Sequence, residues 1–258
     1  MRYAKSPGAE AGVTDEAYAG VKSIDLDGVD AYIPIDRVAT EALCDWQTNA
    51  FTIGIWFKTS KTTAQWLWSF GDDTNATTYF GIRLQQNEVK VFAQDTGSVL
   101  FGSAGTMTVL NTDPGGIDPA DDAWHHVVFV HGGAASATGG VELWIDGTRA
   151  AVEDTTAQAF DPTTFALGVL SRQAHGSKVQ FFEGLISNAQ IYASAADSDQ
   201  IAAMSTAPSL DIRNYGPAYW HWLGPKDAFP EMRDHGYQGA AGTLTNGVSG
   251  DIVEGGPS

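Results

Sequence analysis

The sequence has little of what would mark a disulfide-stapled or nucleic-acid-binding protein. Its single cysteine, Cys44, cannot form a disulfide within the chain, which argues against a secreted eukaryotic domain held together by bridges. Basic residues are scarce, with 14 Lys and Arg against 31 Asp and Glu, and the formal charge of -17 opposes binding to phosphate backbones. We therefore expect no nucleic-acid partner.

Long apolar runs are missing as well. No stretch reaches the roughly 20 apolar residues that a membrane-spanning helix needs. Residues 1–20 are rich in Ala, Gly and charge, and they lack the apolar segment of a signal peptide. The sequence therefore predicts no membrane partner and no signal-peptide export, and it predicts an N-terminal arm over residues 1–20.

The clearest pattern that is present is a pair of strands within residues 121–152. The first strand, which follows Trp124, is apolar on both faces. The second alternates its side chains: Val141, Leu143 and Ile145 against Glu142, Trp144 and Asp146. Asp146-Gly147 is a dipeptide that favours a tight hairpin turn, so the chain reverses at once. We predict an antiparallel meander with Trp124 and Ile145 in the core.

Other segments of residues 21–205 show the same strand period. Residues 51–58 alternate so that Trp56 lies opposite the core face, and residues 65–70 alternate so that Trp66, Trp68 and Phe70 share one face. In the first strand we expect Ile24, Leu26 and Val29 to point inward. In the closing strand a three-then-two spacing, Ile186, Ala189 and Ile191, predicts one bulge. Residues 197–204 are predicted to form a short helix.

Four ordered motifs carry a family resemblance. They are SIDLDGVDAYIP from Ser23, FTIGIWFK from Phe51, WHHVVFV followed by VELWIDG from Trp124, and FEGLISNAQIY from Phe182. Together they resemble the laminin-G-like, concanavalin A-like jelly-roll superfamily. The resemblance implies an all-β, antiparallel jelly-roll β-sandwich over residues 21–205.

The segment after residue 205 differs in character. Rich in Pro and Gly, it shows no sustained period, so it cannot form another layer, and we predict an extended C-terminal tail over residues 206–258. Its strings YWHWLG and GTLTNGVSGDIV resemble the extension that follows laminin-G-like domains in tailed-phage structural proteins. That resemblance implies a virion protein made in the host cytoplasm without a signal peptide. Four of its aromatic residues are expected to make the tail contacts: Tyr219, Trp220, Trp222 and Phe229.

Catalytic and metal-binding patterns are weak. His125 and His126 are adjacent on a strand and project to opposite faces, so we expect one ring to be packed and the other to lie near the rim. Related glycosidases use paired carboxylates in patterns such as E-x-D-x-E, and the sequence contains no such triplet. We therefore predict that the protein is not an enzyme.

Many relatives of this superfamily carry calcium at the sandwich edge. The residues that offer the required oxygen ligands are Asp27 and Asp30 in one turn, and Asp72, Asp73 and Asn75 in another. Acidic residues are also good turn formers in their own right. We assign no metal and no other cofactor.

Exposed tryptophans are the remaining candidates, because sugar rings stack on aromatic faces. Four tryptophans are predicted to contribute to ligand binding: Trp56, Trp144, Trp66 and Trp68. Each is either a sugar platform, part of the core, or covered by the tail.

The leading hypothesis is a non-enzymatic tail, fibre or capsid-decoration protein of a phage. It would contact other virion proteins, form a homo-oligomer and adhere to host-surface polysaccharide. The alternatives are a free carbohydrate-binding module and a degenerate glycoside hydrolase.

Overall fold

The structure is a computed structural model that describes a large part of the 258-residue chain. The described residues are 22–35, 49–72, 75–95, 98–99, 110–111, 117–133, 140–153, 167–170, 179–206, 219–221, 231–232, 242–243, 245–254 and 256. The predicted N-terminal arm, together with Asp73, Trp222 and Phe229, lies outside these residues.

The described elements are strands, one α-helix and a single turn of 3-10 helix at Ser249–Asp251. The strands are β1 Lys22–Asp27, β2 Ile33–Ile35, β3 Phe51–Lys58, β4 Gln65–Asp72, β5 Asn75–Gln85, β6 Glu88–Asp95, β7 Ser98–Val99, β8 Leu110–Asn111, β9 Trp124–His131, β10 Val141–Ile145, β11 Thr148–Glu153, β12 Leu167–Leu170, β13 Glu183–Tyr192, β14 Tyr219–His221, β15 Glu231–Met232, β16 Gly242–Thr243 and β17 Ile252–Glu254. Helix α1 spans Ser198–Thr206. Within the described elements, no helix is long and apolar enough to cross a membrane.

Two antiparallel sheets carry the fold. The larger sheet has the order β11-β10-β9-β3-β13-β1-β17, and β14 adds to it beside β13. The smaller sheet has the order β2-β12-β4-β5-β6-β7, with β8 also on β6. Strands β15 and β16 form a separate two-stranded sheet. The predicted all-β antiparallel sandwich is confirmed.

The core lies between the two sheets and is built by strand alternation. Three phenylalanine rings join the layers: Phe51 from β3, Phe129 from β9 and Phe80 from β5. Their centroids are 5.1 to 6.3 Å apart, a spacing at which tilted and edge-on aromatic pairs attract one another. All three side chains are fully buried, so this contact fixes one sheet over the other.

The central hairpin has the predicted form. Strand β9 is buried on both faces, and β10 alternates buried and half-buried residues. Asp146 and Gly147 both adopt positive φ, at 49° and 74°, as a two-residue hairpin turn requires. Ile145 is in the core as predicted. The core prediction for Trp124 is wrong, because alternation in β9 places it on the outer face with His126, and it is partly exposed.

Both faces of β9 are buried because helix α1 covers its outer side. Val128 and Val130 pack against Ile201 and Met204 of the helix and against Tyr192 of β13. The sequence predicted this helix within two residues at each end. It therefore gives the larger sheet a second, smaller apolar layer on its outer face.

Bulges decide which side chains face inward. In β13 the register shifts between Ser187 and Gln190, and Asn188 has a φ of 53°, which confirms the predicted bulge. In the first strand, Ile24 and Leu26 are buried as predicted. Val29 is 68% exposed, and its inward placement is wrong because the chain turns at Asp27 before reaching it.

The C-terminal segment contributes strands to the chain's own sheets. β17 pairs with β1, and β14 pairs with β13 beyond the end of β1. Thr245 also forms a backbone bridge with Tyr32. Over these residues the predicted extended segment adds short strands to an existing sheet. Strands of two or three residues need no sequence period of their own, because an existing sheet edge supplies their hydrogen-bond partners.

Candidate functional site

Trp56 lies on the outer face of the larger sheet, as its alternation predicts. It does not present an open ring face, because its indole stacks on His126 at 4.8 Å with an interplanar angle of 18° and is only 7% exposed. The two residues are register partners on β3 and β9. Its Nε1 is buried and has no hydrogen-bond partner among the described residues. The structure therefore places Trp56 in a covered stack.

Trp66 and Trp68 do not share a face. The register of β4 against β5 shifts between them, so Trp68 enters the core beside Phe70 while Trp66 joins a separate cluster with Tyr79 and Phe92. The prediction of one common face is wrong, because a bulge inserts an extra residue and breaks the two-residue period. Both side chains are buried, so neither offers an exposed platform.

Trp144 is the predicted tryptophan that the structure leaves accessible. Its side chain is half-buried on the outer face of β10, where it lines an open cleft of about 500 Å³. The indole Nε1 donates a hydrogen bond of 2.8 Å to Glu142 Oε2. The guanidinium of Arg149 lies 5.9 Å from the centre of the indole and 3.4 Å from Glu142 Oε1. Arg149 is 54% exposed and Glu142 28% exposed.

The wall opposite these three residues is the start of helix α1. Asp197 Oδ1 accepts the backbone N–H of Gln200, and Gln200 Oε1 accepts the backbone N–H of Asp197, both at 2.9 Å. This reciprocal pair is a capping box, which fixes the first turn of the helix. Asp197 and Ser198 line the cleft. The site therefore combines an aromatic face with charged donors and acceptors on a rigid frame.

Sequence reasoning missed Arg149 although its signal was present. A two-residue turn at Asp146-Gly147 pairs Ile145 with Thr148 and then Trp144 with Arg149. The dipeptide alone therefore fixes which cation stands beside the predicted tryptophan. Asp197 reaches the cleft only through the tertiary packing of helix α1, so no local sequence pattern could place it there.

The two histidines lie on opposite faces of β9, as predicted, but both are buried, with His125 7% exposed and packed on Phe57. His126 is fully buried against Trp56, its Nδ1 is 2.8 Å from Ser205 Oγ, and burial lowers its pKa to about 3. His125 Nδ1 lies 2.8 Å from Asp146 Oδ2. Burial acts to lower the pKa of His125, but its hydrogen bonds to Asp146 and Asp121 outweigh burial and raise it. The Ser205 and Asp146 contacts fall on different imidazoles, so these residues form no hydrolytic triad.

The predicted acidic turn is stabilised by its own backbone. Asp27 Oδ1 accepts the N–H groups of Val29, at 2.8 Å, and Asp30, at 3.3 Å. No group of three or more metal-ligating side chains occurs among the residues that the structure describes. For the tail contacts, β14 places the backbones of Tyr219 and Trp220 beside β13.

The fold is an all-β sandwich of the concanavalin A-like class. The sequence matches the concanavalin A-like lectin/glucanases superfamily over residues 27–202, and the chain belongs to that superfamily. A comparison with curated proteins finds no match.

Solved structures share the fold at low sequence identity. A candidate carbohydrate-binding protein from Bacteroides ovatus superposes with a TM-score of 0.61 at 16% identity, covering 92% of this chain and 60% of its own. The chain therefore spans three fifths of that protein's length. The CBM40 module of a Ruminococcus gnavus sialidase gives a TM-score of 0.54 at 20% identity. The match covers 73% of this chain and 99% of the module. The NanB sialidase of Streptococcus pneumoniae gives a TM-score of 0.54 at 14% identity. The match covers 75% of this chain and 28% of the sialidase.

Proposed function

We propose that this protein is a non-catalytic glycan-binding protein and that the sugar lies in the cleft beside Trp144. The observation that carries the proposal is the grouping of an accessible indole with Glu142 and Arg149 on the outer face of a rigid sheet. A sugar ring presents an apolar face that stacks on an indole and hydroxyl groups that exchange hydrogen bonds with charged side chains. The R. gnavus CBM40 module has also been crystallised with a bound sialyllactose, which supports a sugar-binding use of this fold.

The side chains of the cleft favour binding over catalysis. Hydrolysis of a glycosidic bond needs one carboxyl group to give up a proton and a second to act on the opposite side of the bond. Glu142 is held by Trp144 and Arg149, and Asp197 caps helix α1. Each carboxylate of the cleft is thus engaged in positioning its own neighbours.

A first experiment is an array of bacterial surface polysaccharides probed with the purified protein. Binding to at least one polysaccharide is expected. The absence of binding to every polysaccharide on the array, by a protein whose circular dichroism shows a folded β structure, would reject the glycan-binding role.

We further propose that the protein works on the surface of a tailed-phage particle, as a tail, fibre or decoration component. The strings YWHWLG and GTLTNGVSGDIV after residue 205 support this role. Oligomer formation and contacts with other virion proteins are part of the same proposal. Mass spectrometry of purified particles tests it, because the protein should be found there in stoichiometric amounts.

A free carbohydrate-binding module is the second candidate, and one observation favours it. Strands β14 and β17 of the C-terminal segment pair with β13 and β1 of the same chain. A segment that completes its own sheet has a use in a protein that acts alone. If the protein is recovered only in free form and never in phage particles, the free carbohydrate-binding module is the correct assignment.

A further inference from the structure

The outer face of the smaller sheet carries an arginine set among aromatic rings. Trp66, Tyr79 and Phe92 form a hydrophobic cluster separate from the core. The guanidinium carbon of Arg83 lies 4.2 Å from the ring centre of Phe92 and 5.3 Å from that of Trp66. Arg83 is half-buried by this packing, so its side chain is partly removed from water.

The positive charge of Arg83 has no carboxylate partner in the described part of the chain. Its polar contacts there are to neutral amides: Nη1 lies 3.5 Å from Gln180 Oε1, and Nη2 contacts Gln85 Oε1. Its Nε is buried without a hydrogen-bond partner. Burial lowers the pKa of Arg83, and the nearby Tyr79 acts in the opposite direction. An unpaired, partly buried cation is costly, and this chain has 31 acidic residues from which a partner could come.

A second cation stands directly beside Arg83. The sheet register pairs Arg83 with Trp66 on one side and with Lys90 on the other, so the three side chains form a row on one face. Like charges directly opposite one another destabilise a sheet. Lys90 is neutralised by Glu88 at 2.6 Å, whereas Arg83 has no such partner among the residues that the structure describes. An anion supplied from outside would relieve the repulsion within this row.

The aromatic part of the row is held rigidly. Trp66 lies over Gly81, where a Cβ atom would come within 2.6 Å of the indole. Gln180, at a φ of 57°, accepts the indole N–H of Trp66 at 2.9 Å and also contacts Arg83. A non-glycine residue in the left-handed region is strained and is found preferentially where geometry serves a function. Gln180 therefore fixes the tryptophan and the arginine relative to each other.

We propose that Arg83 binds the anionic group of an acidic polysaccharide, at a subsite on the sheet opposite the Trp144 cleft. Arginine has five N–H donors, of which the two glutamines use two, so donors remain for an oxyanion. The chemistry suits a sugar carboxylate or a sugar sulfate equally. This inference rests on the proposed glycan-binding function and adds the class of sugar to it.

The test compares acidic polymers with matched neutral ones at about 0.15 M salt, where the Debye length of about 8 Å screens the acidic chain. The carboxylate probes are alginate and polygalacturonate, each compared with its carboxyl-reduced form. The sulfate probe is dextran sulfate, compared with dextran. Isothermal titration should show that Arg83→Gln weakens binding of an acidic polymer at least about tenfold, the loss expected for one charge-assisted hydrogen bond. Lys58→Gln, which removes a positive charge from the other sheet, should leave that affinity unchanged. The preferred polymer identifies the carboxylate or the sulfate as the natural group.

Several results would overturn the inference. They are equal binding of acidic and reduced polymers, no binding of any acidic probe, and acidic-polymer binding that survives Arg83→Gln but is lost in Trp144→Ala. If Arg83→Gln fails to fold, phenylglyoxal modification of the unaltered protein replaces it. Bound acidic polymer should then reduce the phenylglyoxal modification of Arg83, as measured by peptide mass spectrometry. Equal modification with and without the polymer counts against the site. Binding of neutral glycans that depends on Trp144, without any acidic preference, rejects this inference alone and leaves the proposed function standing.

Discussion

Asp146 and His125 are hydrogen-bonded at the tip of the central hairpin, with Oδ2 of the carboxylate 2.8 Å from Nδ1 of the imidazole. The other oxygen of Asp146 accepts the backbone N–H of His126 at 2.7 Å. One turn residue thus positions two consecutive histidines whose environments differ. Burial acts against the charge on both rings, but hydrogen bonds to carboxylates raise the pKa of His125, whereas burial lowers the pKa of His126 to about 3.

The two histidines predict opposite responses of stability to pH. The pKa of His126 is lowered to about 3, so below about pH 6.5 the unfolded chain takes up a proton that the folded protein refuses, and stability falls as the pH falls. At pH 4.5 this loss is about 2 to 3 kcal/mol. The pKa of His125 is raised, so its contribution is present below pH 6.5 and is lost as the pH rises through the folded-state pKa.

Urea denaturation of His126→Phe measures the larger effect. Phenylalanine keeps an aromatic ring against Trp56 and cannot titrate, so this variant should lose less stability than the parent between pH 7 and pH 4.5. His125→Gln is the matched control and should lose at least as much stability as the parent over the same interval. Equal pH slopes for His126→Phe and the parent would show that the buried ring is not the acid-sensitive group.

Gly81 should tolerate no side chain. A Cβ atom there would lie 2.5 Å from the carbonyl oxygen of Trp68 and 2.6 Å from the ring of Trp66. Because the nearest atom belongs to the backbone, the strain cannot be relieved by a rotamer change, and Gly81→Ala should cost about 1 to 3 kcal/mol. Gly250 has nothing within 4 Å of such an atom, so Gly250→Ala is the control and should change the denaturation midpoint little. Similar midpoints for both variants would mean that β4 and β5 are not packed as described.

Local sequence patterns were enough to predict most of the strands of the sandwich. The turn at Asp146-Gly147 and the bulge around Asn188 are written in neighbouring residues, so the hairpin and the closing strand could be predicted. The bulge between Trp66 and Trp68 could not, because it depends on how β4 meets β5. The covering of Trp56 by His126 likewise follows from a pairing between strands that are distant in the sequence. Periodicity assigns faces within a strand, whereas exposure depends on what packs against that face.

Removal of the chain after Thr206 tests the role of the C-terminal segment. The truncated protein should fold, because the main core draws its buried residues from positions 24–191, with Ile252 only packed against it. It should be less stable and more prone to aggregate, since loss of β17 leaves β1 as an open edge. Under the virion proposal it should also be monomeric and missing from particles. A truncated protein that assembles into particles normally would reduce the segment to a cover for its own domain.

The most direct test of the account is the affinity of Trp144→Ala for the polysaccharide selected on the array. The control is Trp56→Phe, which alters a second tryptophan of that sheet face but keeps an aromatic ring stacked on His126. Titration calorimetry should show binding lost in Trp144→Ala and retained in Trp56→Phe, with both variants folded. Undiminished binding by Trp144→Ala would contradict the assignment of the cleft as the sugar site.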